Sequence, residues 1–91
     1  MPNVKAVVEF EYEVTDTISV PANDQVVWVH SPLTDCQLVG WGVQGLFEEL
    51  SIESAYIYPD EVDGVPRFTG VVRNSAASSR SFRWVFTHMK D

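Results

Sequence analysis

The chain has 91 residues, with 6 Lys and Arg against 13 Asp and Glu, and so a formal charge of −7. A chain this short buries only about 60–65% of its unfolded surface, which restricts it to one domain, residues 1–91, and excludes a two-domain enzyme with an interdomain cleft. Hydrophobic residues make up 45% and aromatic residues 12%, enough for a core. The few basic residues are scattered, which argues against nucleic acid and against anionic membrane as partners.

Cys36 is the only cysteine, so one chain cannot make an internal disulfide or assemble a thiolate ligand set for zinc or iron–sulfur. It reads as a small buried hydrophobe. No apolar core of a secretory signal follows Met1-Pro2-Asn3-Val4-Lys5, and no window approaches the roughly 18 apolar residues of a spanning helix. The expectation is a soluble chain without a signal peptide and without membrane insertion, destined for the cell interior, a virion or an extracellular surface.

From Val4 to Val14 the residues alternate. Val4, Ala6, Val8, Phe10, Tyr12 and Val14 fall on one side and Lys5, Glu9, Glu11 and Glu13 on the other, a period of two that predicts a half-buried strand with a wet acidic face. Thr17-Ile18-Ser19-Val20 continues as a short strand that Pro21-Ala22-Asn23-Asp24 ends. Gln25 to His30 resumes β character, with Val26, Trp28 and His30 on one face and Val27 and Val29 on the other, and both faces look covered. Ser31 to Asp35 is a loop. Gln37 to Gln44 is apolar and broken by Gly40 and Gly42, the mark of a bulge or a close backbone approach. Gly45 to Leu50 has room for a single helical turn. From Leu50 the alternation returns through Ile52, Ser54, Tyr56 and Tyr58, ended by a polar loop from Pro59 to Pro66. Arg67 to Arg73, a flexible turn from Asn74 to Ser79, and Arg80 to His88 complete the chain, with Phe82, Trp84, Phe86 and His88 sharing a face.

The spacing gives about seven to eight short strands with no amphipathic helix between them, the signature of a single small antiparallel β-sandwich or jelly-roll-like domain. Phe10, Tyr12, Phe82, Trp84 and Phe86 are its candidate core or interface residues.

Gly40-Trp41-Gly42-Val43-Gln44-Gly45 matches G-x-G-x-x-G. A dinucleotide site needs a helix opening at the third glycine inside a parallel sheet, and here β alternation resumes instead, so a bulged strand is the preferred reading. Cys36 with His30 or His88 has the residue types of a thiol nucleophile and its base, but nothing in the sequence brings them together. The two histidines end strands and read as rim residues bonded to backbone; a metal would need a third ligand. Asp60, Glu61 and Asp63 lack the alternating spacing of a calcium loop and read as a solvated acidic loop. Trp28, Trp41 and Trp84 divide between core and surface. Trp28 and Trp41 with Tyr56 and Tyr58 are the candidate ligand-binding, sugar-stacking surface.

Val20-Pro21-Ala22-Asn23, Leu38-Val39-Gly40-Trp41-Gly42-Val43, Ser54-Ala55-Tyr56-Ile57-Tyr58-Pro59 and Phe68-Thr69-Gly70-Val71-Val72-Arg73-Asn74 follow one another before a Ser/Ala turn and a last strand. In that order they resemble the small β-sandwich modules of secreted actinobacterial proteins and of phage tail or surface proteins. The resemblance implies a non-catalytic attachment or structural module and supplies no catalytic residue.

The function expected is therefore a structural or attachment module, self-associating as in a virion or surface assembly, because a small sandwich gains stability from subunit burial. The alternative is a lectin-like module whose partner is a glycan; a small enzyme ranks third. No catalytic residue, cofactor or metal is assigned.

Overall fold

The computed structural model describes residues 8–91. Seven strands follow one another: β1 (Phe10–Val14), β2 (Ile18–Val20), β3 (Gln25–His30), β4 (Cys36–Gln44), β5 (Leu50–Pro59), β6 (Pro66–Asn74) and β7 (Arg80–Lys90). They form two antiparallel sheets packed as a small β-sandwich, with no helix among the described residues. Val4 and Ala6, the start of the expected first strand, lie outside the described residues.

In the first sheet β7 is central. β4 lies along one edge of it, and β1 and β2 lie in succession along the other, β1 against Val85 to Met89 and β2 against Arg80 to Phe82. The step between β1 and β2 is stitched at Thr15, whose N–H donates to the Trp84 carbonyl and whose Oγ1 accepts from the Trp84 N–H, both at 3.0 Å. The second sheet has the order β3-β6-β5. The chain changes sheet at the β2–β3, β3–β4, β4–β5 and β6–β7 connections.

The core follows from the alternation of the two central strands. Phe82, Trp84, Phe86 and His88 project inward from β7, and Phe68 and Val72 from β6, all fully or nearly fully buried, with Val20, Leu38 and Leu50 around them. Phe68 meets Trp84 and Phe86 edge to face, with ring centroids 4.9 and 5.0 Å apart. That arrangement aligns the positive ring edge with the negative face and adds to the area term of about 1.5–3 kcal/mol for each large apolar side chain buried.

Four elements differ from the sequence reading. In β1 the apolar side is outside: Phe10, Tyr12 and Val14 are 51%, 73% and 46% exposed, while Glu11 and Glu13 point inward and are half-buried. Alternation states which residues share a face, but register against β7 chooses the face, and Glu13 finds polar partners inside. In β3 only one face is covered, because Val27 and Val29 are about 60% exposed on the outer side of the second sheet. In β5 a bulge at Glu53 interrupts the register between Ile52 and Ser54, so Leu50 and Ile52 face in but Tyr56 and Tyr58 face out. The segment from Gly45 to Leu50 is a bend and a turn without a helix. The glycine-marked bulge in β4 is present, between Leu38 and Gly40.

Candidate functional site

Three inward side chains that have no place in an apolar core converge at one edge of the sandwich. Glu13 comes from β1, His88 from the neighbouring strand β7 of the same sheet, on the diagonal since Glu13 is in register with Phe86 and Glu11 with His88, and His30 from the end of β3 in the opposite sheet. Glu13 Oε1 lies 2.7 Å from His30 Nε2 and 3.7 Å from His88 Nε2. The His30 ring stacks on Phe86, with centroids 3.9 Å apart and planes 10° apart, which fixes the imidazole plane. The Trp28 indole N–H donates to His30 Nδ1 at 3.2 Å. His30 Nδ1 is therefore the acceptor, and its proton sits on Nε2, from which it is donated to Glu13.

His88 is 0% exposed, and neither ring nitrogen has a hydrogen-bond partner among the described residues. Its pKa is lowered, first by burial, which outweighs the pull of Glu13, and further by the neighbouring His30. Burial thus favours the neutral imidazole, whose Nε2 faces the Glu13 carboxylate at 3.7 Å. A cleft of ≈ 380 Å³ reaches the group from solvent between β1, β2 and β3, lined by Glu13, Thr15, Asp16, Thr17, Trp28 and His30 among others.

The two histidines read as rim residues with backbone partners are thus the centre of a buried polar group, one bonded to Glu13 and the other unpartnered. Glu13 escaped the sequence reading because its strand placed it on the wet face. The signal available was that His30 shares a face with Val26 and Trp28, and His88 with Phe82, Trp84 and Phe86, so both had to point inward and find a polar neighbour. Cys36 does not join them. It pairs with Lys90 at the end of β4, and its thiol is held above its ordinary pKa by desolvation and by Glu11, which opposes a nucleophilic role.

Trp28, Trp41, Tyr56 and Tyr58 do not form one stacking surface. Trp28 is turned inward to His30, Trp41 packs against Phe68 and Trp84 at the β4 edge, and Tyr56 and Tyr58 lie edge to face on the outer side of the second sheet, with centroids 6.0 Å apart. The split arises because Trp41 faces the core across from Phe86, whereas the β5 bulge sends the tyrosines outward. Phe82, Trp84 and Phe86 are core, and Phe10 and Tyr12 are surface. Asp60 and Asp63 are occupied by Arg67, which reaches Asp60 Oδ2 at 2.9 Å and Asp63 Oδ1 at 3.0 Å.

Fold and site together define an all-β, two-sheet sandwich with a carboxylate–imidazole group at one edge. No protein-family model, no curated protein and no solved structure matches the chain.

Proposed function

We propose that the chain is a non-catalytic structural or attachment module that associates with copies of itself through the outer face of its first sheet. The observation that carries this reading is the composition of that face. Phe10, Tyr12 and Val14 on β1 lie in register with Met89, Thr87 and Val85 on β7, and these with Gln37, Gly40 and Gly42 on β4. None of the nine carries a charge, in a chain with 13 acidic residues. The β1 carboxylates are directed away from it, Glu11 to Lys90 at 3.0 Å and Glu13 to His30.

A second copy suits this surface. Two such faces related by a twofold axis would bring these uncharged rows together without opposing like charges within them, although each chain carries −7 and Arg83, exposed on the same side of β7, stands at their end. Gly40 and Gly42 keep the β4 side of the face flat, which favours sheet-on-sheet contact. The resemblance of the sequence to surface and tail modules agrees with this role, as does the gain a small sandwich draws from subunit burial.

The second reading is a glycan-binding module, supported by a surface cleft of ≈ 650 Å³ where Tyr56, Tyr58 and Thr69 adjoin Asp60 and Glu61. It combines stacking rings with hydroxyl partners. Light scattering across a dilution series separates the two. A dimer or larger assembly that Phe10→Ser with Tyr12→Ser converts to folded monomer is the expected result. A wild-type chain that is monomeric at every concentration removes the assembly reading and leaves a glycan screen, read by tyrosine and tryptophan fluorescence, as the next experiment.

A further inference from the structure

We propose that Glu13, His30 and His88 form a divalent-cation site of the zinc type that clips the two sheets together. One ligand atom from each residue lies within 4.8 Å of the other two. A tetrahedral ion with bonds of about 2.0–2.1 Å holds its ligands about 3.3–3.4 Å apart. The observed 2.7 Å between Glu13 and His30 and 3.7 Å between Glu13 and His88 bracket that spacing, and the two imidazole nitrogens, within 4.8 Å of each other, close by about 1 Å onto the ion, a movement within reach of side-chain rotation.

The second observation is His88 itself. It is fully buried, its Nε2 faces Glu13, and neither ring nitrogen is partnered among the described residues. Buried polar atoms are ordinarily paired, and an ion at this point would satisfy Nε2. Two imidazoles and one carboxylate form a donor set for zinc or a similar transition ion, whereas calcium and magnesium demand oxygen throughout. The cleft between β1, β2 and β3 is lined by Glu13 and His30 and is the side from which a water would complete four-coordination. Ligands from β1 and β7 in one sheet and β3 in the other make the site a cross-link between layers.

Trp28 opposes this binding. Its N–H donates to His30 Nδ1, which holds the His30 proton on Nε2, the atom the ion requires. On binding, that proton moves from Nε2 to Nδ1, no net proton is released from His30, and Nδ1 becomes a donor that faces another donor. The indole must then turn away. Losing one neutral hydrogen bond corresponds to about fivefold in affinity, so Trp28 weakens the site by that factor.

The test titrates the tag-free full chain, stripped with EDTA and dialysed, with ZnCl₂ by calorimetry and with CoCl₂ by visible absorbance. The expected result is one ion per chain, with the intense cobalt bands of four-coordination. Glu13→Gln and His30→Gln should each weaken binding tenfold or more with unchanged circular dichroism, and Trp28→Phe should tighten it about fivefold. Absence of stoichiometric zinc binding to the wild-type chain at micromolar concentration overturns the site. So does binding that keeps its full strength in the folded Glu13→Gln, His30→Gln double variant. A Trp28→Phe affinity equal to or weaker than wild type overturns the role assigned to Trp28.

Discussion

The Trp84 indole occupies the space that Gly70 leaves without a side chain: a β-carbon built at Gly70 would lie 2.7 Å from Trp84 Cζ2 and 2.8 Å from Phe68 Cζ. Gly70 is in the middle of central strand β6, where glycine weakens a strand, and sits directly across from Trp28 on β3 and Ala55 on β5. Its presence there is explained by close packing of Trp84 and Phe68 between the sheets. Gly70→Ala should therefore destabilise by about 1–3 kcal/mol through overpacking, despite the better strand propensity of alanine. Urea denaturation reads this directly, and an unchanged or higher midpoint would mean that the rings are free to shift.

Asn74 closes the C-terminal end of the same strand. It is 0% exposed; its Nδ2 shares two hydrogens among the carbonyls of Val20, Pro21 and Ser78 at 3.1, 3.2 and 2.9 Å, and its Oδ1 accepts from the Ala76 N–H at 2.8 Å. One side chain thus ties the end of β2 to the β6–β7 turn. Asn74→Ala should cost about 2–3 kcal/mol, because it leaves buried carbonyls and an N–H unpaired. Asn74→Asp should cost more, since it sets an anion against the same carbonyls. Equal denaturation midpoints for all three proteins would remove Asn74 from this role.

The β class and most strand positions were legible because period-two alternation and turn residues are local signals. The alternation of Phe82, Trp84, Phe86 and His88 identified the inner face of β7 correctly, because that strand is central and its inner face is aromatic from Phe82 to Phe86. The facing of β1 was not legible, since Phe10 and Tyr12 are as suitable for a subunit contact as for a core, and only the position of His30 in another sheet explains why Glu13 turns inward. The turn from Asn74 to Ser79 looked flexible because its composition is small and polar, but a buried Asn74 and a nearly buried Ala76 order its start. The bulge at Glu53 has no glycine or proline to mark it, and one extra residue was enough to move Tyr56 and Tyr58 to the outer face.

The β5–β6 loop carries a pH-dependent contact. Asp63 accepts from Arg67 and from the Val65 N–H at 2.9 Å, and these bonds hold its carboxyl below the usual aspartate range, the Arg67 contribution being the larger. A carboxylate whose folded pKa is depressed stabilises the fold above its unfolded value, about 3.9, and loses that contribution as pH falls through the lower folded value. The group is solvent-exposed, so the effect on global stability is small. The direct readout is the Asp63 carboxyl ¹³C titration by NMR. Its midpoint should lie below that of a free aspartate and rise towards it in Arg67→Gln; a midpoint indifferent to that substitution would show that Arg67 does not hold the loop.

The inverted facing of β1 gives the sharpest contrast between two aromatic residues of one sheet. Trp84 is fully buried between Phe68 and Phe82, whereas Tyr12 stands on the outer face across from Thr87 and is 73% exposed. Trp84→Ala should cost about 3–5 kcal/mol, from lost transfer energy and the cavity left behind. Tyr12→Ser should stay within about 0.5 kcal/mol when stability is measured at concentrations too low for association. At higher concentration the same substitution should lower the melting temperature relative to wild type, because wild type then gains the stability of the assembly and the variant does not. Dilute-sample destabilisation by Tyr12→Ser of several kcal/mol would place Tyr12 inside and Glu13 outside, and the sandwich would have to be redrawn with β1 shifted by one residue.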